Sequence, residues 1–175
     1  MQQPLPHSKF RFLTKGEINK LDFDKINEFV DGGFGYIIEA SFSYPKNLHK
    51  KHRSWPLLVE KKTITESMLS PYSRKNLKKI YGKTRFKEVK VTSTLSDKNH
   101  AVISLANFKL YQKLGLKLKK IHRVLEFYQS SFAKPYIEKC TENRMLSTSA
   151  YEMALWKLLS NALYGKVTKT KLLTE

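Results

Sequence analysis

The chain has 175 residues, enough for one ordinary domain or two small lobes around a shared core. Its 33 Lys and Arg against 15 Asp and Glu leave a formal charge of +18, which points first to nucleic acid as partner, then to an anionic membrane surface, with solubility alone as the plain alternative. An apolar content of 41% argues against disorder, the single Cys140 excludes an internal disulfide, and five scattered histidines give no zinc-ligand spacing.

The N-terminus, MQQPLPHSKF, lacks the apolar core of a signal peptide, and no apolar run approaches the ~18 residues of a membrane span. Met1–Lys20, with Pro4, Pro6 and Gly16, is expected to be an extended lead-in. Asp22–Phe29 is a short polar helix candidate, and Gly32, Gly33 and Gly35 mark a turn. Tyr36–Tyr44 alternates partly, is rich in strand formers and stops at Pro45, so a strand is expected. Asn47–Pro56 is a basic loop carrying Trp55. Ser70–Tyr81 is a basic amphipathic segment, with Leu77 and Ile80 toward a core and Arg74, Lys75, Lys78 and Lys79 toward water.

Phe86–Leu95 and Ala101–Leu105 are expected strands around the polar turn Ser96–His100. Phe108–Leu118 has the spacing of a helix, and Ile121–Tyr128 the composition of another strand. Pro135 suits the first turn of a helix running to about Met145. Ser149 and Glu152 have the spacing of a capping box, and a helix should run from Ala150 to about Tyr164, stopping near Gly165.

That last helix separates into two stripes. With Lys157 at zero, Asn161 falls near about +40° and Tyr164 near about −20°, at 100° per residue. Leu155, Leu158, Leu159 and Ala162 fall opposite and are expected to pack. The polar stripe offers an ammonium, an amide and a phenol in line. Lys157 suits a triphosphate, Tyr164 a base or sugar, Asn161 a hydrogen bond to either, and Gly165 a close backbone approach. The plain alternative is a solvated face of an amphipathic helix.

The residues themselves add a resemblance. KLLSNALYGK (Lys157–Lys166) resembles motif B of family B DNA polymerases, with Lys157, Asn161, Ala162, Tyr164 and Gly165 in the motif's places. GYIIEASFSYPKNLHKKH (Gly35–His52), MLSPY (Met68–Tyr72), FKLYQKLGLKLKKIHRVLEFYQS (Phe108–Ser130) and KPYIEKCTENR (Lys134–Arg144) resemble blocks of the protein-primed branch, in family order. Where that branch carries an acidic EVDLEYP, this chain has Ser41 and Ser43.

The resemblance implies an α+β fold: a partial palm sheet with an inserted subdomain plus two-helix antiparallel fingers. The implied parts are a palm-derived strand region at 1–50, an insertion and connecting palm region at 51–130, fingers helices at 131–168 and a tail at 169–175. It further implies that Arg144 and Lys157 clamp the incoming dNTP and that Asn161 and Tyr164 shape the nascent base-pair pocket, with Gly165 also in the nucleotide-binding set. Lys117, Lys119, Lys120 and Lys166 are the implied DNA contacts, and the implied partners are a DNA primer-template and a terminal protein, with no membrane. Lys50, Lys51, Arg53, Lys78 and Lys79 are further phosphate candidates in an alternative, non-catalytic DNA-binding role. The family's Mg2+ is held by carboxylates of two motifs expected outside this chain, so the chain resembles an internal fragment with no catalytic residue or metal ligand of its own. A start at an internal methionine of the family pattern would fit a truncated or decayed copy. The implied location is intracellular: nucleus, mitochondrion or viral factory.

Overall fold

The structure is a computed structural model that describes residues 3–82 and 86–168. In chain order the elements are β1 (Leu5–Phe12), α1 (Lys15–Lys20), β2 (Phe34–Ser43), β3 (Glu60–Thr65), α2 (Pro71–Tyr81), β4 (Lys87–Thr92), β5 (Lys98–Ser104), α3 (Leu105–Lys113), β6 (Lys117–Ser130), α4 (Lys134–Leu146) and α5 (Ala150–Thr168). The class is mixed α and β. Four strands form one sheet in the order β1-β6-β2-β5, and β3 and β4 form a separate antiparallel ribbon. The chain divides into two units, one made of residues up to Tyr36 with those from Leu125 onward, the other of Ile37–Val124. Strands β2 and β6 run through both.

In the first unit, β1 pairs antiparallel with β6 from Leu5↔Ser130 to Phe12↔Leu125, with irregularities on either side of Ser8. The expected lead-in is therefore a strand followed by a helix. Thr14 and Glu17 close a full capping box on α1, and the backbone N–H of Thr14 holds the Glu17 carboxyl down at about 2, helped by Arg11 and the Thr14 hydroxyl. The helix expected at Asp22–Phe29 does not form. Asp22 accepts from the N–H of Asp24 and Asn27 from that of Phe29, so these side chains hold turns instead.

Gly35 lies inside β2 rather than in the turn. A Cβ there would meet the Phe127 ring and the Gln129 carboxamide, so the close approach of β2 to β6 requires glycine. Gly32, with φ of 73°, is the glycine that the turn itself needs. Glu126 ties the strands together by accepting from Tyr36 Oη at 3.0 Å and Arg11 Nε at 2.8 Å. Burial and that carboxylate push the Tyr36 phenol up to about 12.

The second unit is built on the apolar side of β2. Ile38, Ala40 and Phe42 are fully buried, and Phe42 packs on Phe108 of α3 with ring centroids 5.8 Å apart. Strand β5 pairs with β2 from Ile37↔Ser104 to Phe42↔Lys98. The two strands expected around Ser96–His100 thus belong to different sheets, since β4 pairs with β3, a strand the sequence reading lacks. Helix α3 stops at Gly115, whose φ of 103° reverses the chain, and Leu116–Leu118 passes to β6 instead of extending the helix. Ile80 of α2 is 68% exposed and does not face a core.

Candidate functional site

Helices α4 and α5 form an antiparallel hairpin in the first unit. Pro135 stands in the first turn of α4, and Ser149 Oγ accepts from Glu152 N–H at 3.2 Å to start α5. Tyr136 Oη of α4 donates to Leu159 O at 3.3 Å, which fixes the register of the pair. Burial and neighbouring Cys140 raise the Tyr136 pKa. In that register Arg144 lies level with the first turn of α5, roughly 9 Å along the axis from Lys157 at 1.5 Å per residue.

Arg144, Lys157, Asn161 and Lys166 are all exposed, so the polar stripe of α5 is open as expected. Two details differ. Helix α5 continues through Gly165 to Thr168, so this glycine does not end the helix, and a Cβ added to it would meet open space. The packed stripe is also rotated. Trp156, Leu159, Ser160 and Leu163 are half-buried, between about −60° and −160° from Lys157 on the same wheel. Leu155 is 38% and Leu158 63% exposed, and Ala162 is exposed as well. Helix α4 packs from the side of Tyr136 and Cys140, so of the stripe expected to pack Leu159 is half-buried while Leu155, Leu158 and Ala162 stay open. The side chain of Tyr164 lies outside the described residues.

The remaining basic candidates lie mostly in the second unit. Lys50, Lys51, Arg53, Lys78, Lys79, Lys117, Lys119 and Lys120 are all exposed. Lys119 is already paired with Asp97 at 2.5 Å, and this ammonium is the first cause of the lowered Asp97 pKa. The second unit holds 21 of the 33 Lys and Arg but 5 of the 15 Asp and Glu, a net of +16 against +2 for the other unit. On the ribbon, Lys61, Lys87, Lys90, Val89 and Val91 are exposed.

Two side-chain clusters in this unit went unread in the sequence. His100 and His122 stack with ring centroids 3.9 Å apart. Ser41 Oγ contacts His122 Nε2 at 2.7 Å and accepts from His100 N–H at 3.2 Å, while Glu39 binds His100 Nδ1 at 2.7 Å and Arg123 Nε at 2.5 Å. Arg123, then His100, lower the Glu39 pKa; burial, then His100 and Lys120, lower that of His122. The carboxylate goes to His100 and Arg123, so the cluster joins β2, β5 and β6 rather than orienting His122 as a base. Ser41 thus has structural partners in His122 and the backbone of His100. The second cluster buries Lys98, 1% exposed, against Glu60 Oε1 at 3.1 Å and Thr94 Oγ1 at 2.8 Å.

Among the described residues no group of three or more His, Cys, Asp or Glu is placed to hold a metal ion, and no helix is long and apolar enough to cross a membrane. Comparisons with protein-family models, with curated proteins and with solved structures return no match.

Proposed function

We propose that this chain supplies incoming-nucleotide and DNA contacts of a protein-primed family B DNA polymerase, an enzyme that transfers nucleotides from dNTPs to a primer. The observation that carries the reading is the open polar stripe of α5. Lys157 and Asn161 stand exposed one turn apart on an antiparallel helical hairpin, with Arg144 exposed on the partner helix. In this reading α4 and α5 are the fingers, β2 and β6 belong to the palm, and Ile37–Val124 includes the insertion. A terminal protein would be the priming partner. Mg2+ would supply activation of the primer hydroxyl and charge neutralisation at the phosphates, held by carboxylates outside this sequence, so the chain alone extends no primer.

The test is binding of a fluorescent dNTP to the chain, followed by anisotropy. Lys157→Ala should weaken binding about 10- to 100-fold, the worth of one charge-assisted contact. Lys166→Ala, beyond the stripe, should change it less than threefold. Equal binding by wild type and Lys157→Ala, or none at 1 mM nucleotide, would overturn the proposal.

A second reading is favoured by the charge. With a net of +16 on Ile37–Val124 and +2 elsewhere, the chain suits a basic DNA-binding protein that derives from a polymerase fold and performs no chemistry. The two readings share DNA and differ in nucleotide recognition by α5.

A further inference from the structure

Among the described residues strand β5 is the last strand of its sheet, so one of its edges has no neighbouring strand there. That edge borders a cavity of about 680 Å3. One wall is the run Lys98–Ile103, the other is Leu58–Lys61 where β3 begins, and Tyr111 of α3 contributes a phenol. β3 pairs with β4 along its whole length and belongs to a ribbon of only two strands, so it too has an open edge. A cavity with a run of β5 along one side and, along the other, the residues that lead into β3 with its first two has the form of an empty strand position.

The edge of β5 is guarded over only part of its length. Lys98 points its charge inward, and His100 takes a left-handed φ of 53° that breaks the register. Both devices discourage pairing, and both lie in the first half of the strand. Ala101–Ser104 carries neither. There Val102 is 65% exposed, and across the cavity Val59 is 58% exposed. These two offer apolar contact to alternate side chains of an added strand.

We propose that the cavity between β5 and β3 takes an extended acidic peptide segment of a partner protein, added as a strand along Ala101–Ser104. Backbone hydrogen bonds supply the affinity, and side chains on alternate positions supply selection. The charge of the occupant follows from its surroundings. Of the charged groups that line the cavity, Glu60 is paired with Lys98 and His100 contacts Glu39, which leaves Lys61 as the unpaired charge at the wall, and the unit around it carries a net +16. A basic strand would meet this field unfavourably, and an acidic one is drawn to it. Pairing along the edge of β5 does not depend on nucleotide binding by α5.

The experiment uses the full chain and a fluorescein-labelled heptapeptide alternating glutamate and valine, read by fluorescence anisotropy at 150 mM salt. Three comparisons separate backbone pairing from charge. The same peptide N-methylated at alternate residues keeps its charge and loses its outward donors, and should bind at least tenfold more weakly. A lysine–valine heptapeptide should bind at least tenfold more weakly too. Val102→Glu, at an exposed position that should leave the fold intact by circular dichroism, should cost tenfold or more. Absence of binding at 1 mM peptide overturns the proposal, as does equal binding of the N-methylated peptide, which would assign the signal to surface charge. A dimer seen by sedimentation, dissolved by Val102→Glu and excluding the peptide, would place a second copy of this chain in the cavity and overturn the assignment to an acidic partner.

Discussion

Lys98 is the most buried charged residue described, and two acceptors meet its side-chain nitrogen there. Glu60 lies 3.1 Å away and Thr94 2.8 Å away, while the Thr94 hydroxyl also donates to Glu60 at 2.6 Å. Burial raises the Glu60 pKa, but Thr94 and Lys98 outweigh it and the net direction is down. The pair is unequal, since the Glu60 side chain keeps 28% exposure against 1% for Lys98. Removing the cation alone leaves a half-buried carboxylate with the Thr94 hydroxyl as donor but without the ammonium that balances its charge. Lys98→Met should therefore destabilise the chain by about 3 kcal/mol, the low end for a buried pair because water still reaches Glu60. Thermal unfolding followed by circular dichroism checks this. Adding Glu60→Leu to Lys98→Met should recover most of the loss, because it removes the orphaned charge. A single variant as stable as wild type would show the ion pair to be dispensable.

Among the elements, β2 sets the fold, and Gly35 sets how closely β2 meets β6. A methyl at this position would stand 2.5 Å from Gln129 Oε1 and 2.7 Å from Phe127 Cζ, and the Phe127 ring is itself buried. Gly35→Ala should destabilise by about 1–3 kcal/mol through overpacking, in spite of the backbone entropy it saves. Gly16→Ala, in α1 with open space around it, should instead be neutral or stabilising by up to about 1 kcal/mol. Chemical denaturation of the two variants decides it, and a stabilised Gly35→Ala would refute the close approach. The sequence made β2, α4 and α5 legible, because each carries a local signal, and it marked α2 only as a basic amphipathic segment. Pro45 follows β2, Ser70 caps α2, Pro135 opens α4 and Ser149 caps α5. It hid β1, whose residues are mostly exposed and broken by bulges, so no alternation exists to read. The capping box of Thr14 and Glu17 is a local signal for α1, and the neighbouring Gly16 masks it. The first residues of β6, Lys117–Lys120, are all exposed, and the leucine spacing of α3 ran on through them. The stripes of α5 were half legible: the polar one follows from spacing, but which apolar one packs depends on where α4 docks. The contact of His100 with His122 depends on the register of separate strands, which no local pattern encodes.

At the scale of the whole molecule the dominant fact is where the charge resides. Twenty-one basic against five acidic residues lie in Ile37–Val124, while the unit with α4 and α5 is near balance at twelve against ten. A polyanion should therefore be held by the second unit, and the hairpin should contribute little to salt-dependent affinity. Helix α2 is the strongest candidate within it. Lys78 and Lys79 are exposed in its last turn, with no acidic residue on the helix to pair them. Lys119, in contrast, already spends its charge on Asp97. Binding of an unrelated-sequence DNA duplex should weaken steeply with salt, with log K falling by about 0.9 per log unit of salt for each phosphate contacted. Reversing Lys78 and Lys79 to Glu should make that slope shallower by about 2 and weaken binding at least tenfold near 150 mM salt, because two phosphate contacts are lost. Lys157→Ala should leave the slope unchanged within error, even though it weakens nucleotide binding. Anisotropy titrations at four salt concentrations measure both quantities on each variant. If Lys157→Ala flattens the slope as much as the α2 reversal does, DNA runs along the hairpin and the charge asymmetry between the units does not govern where it binds.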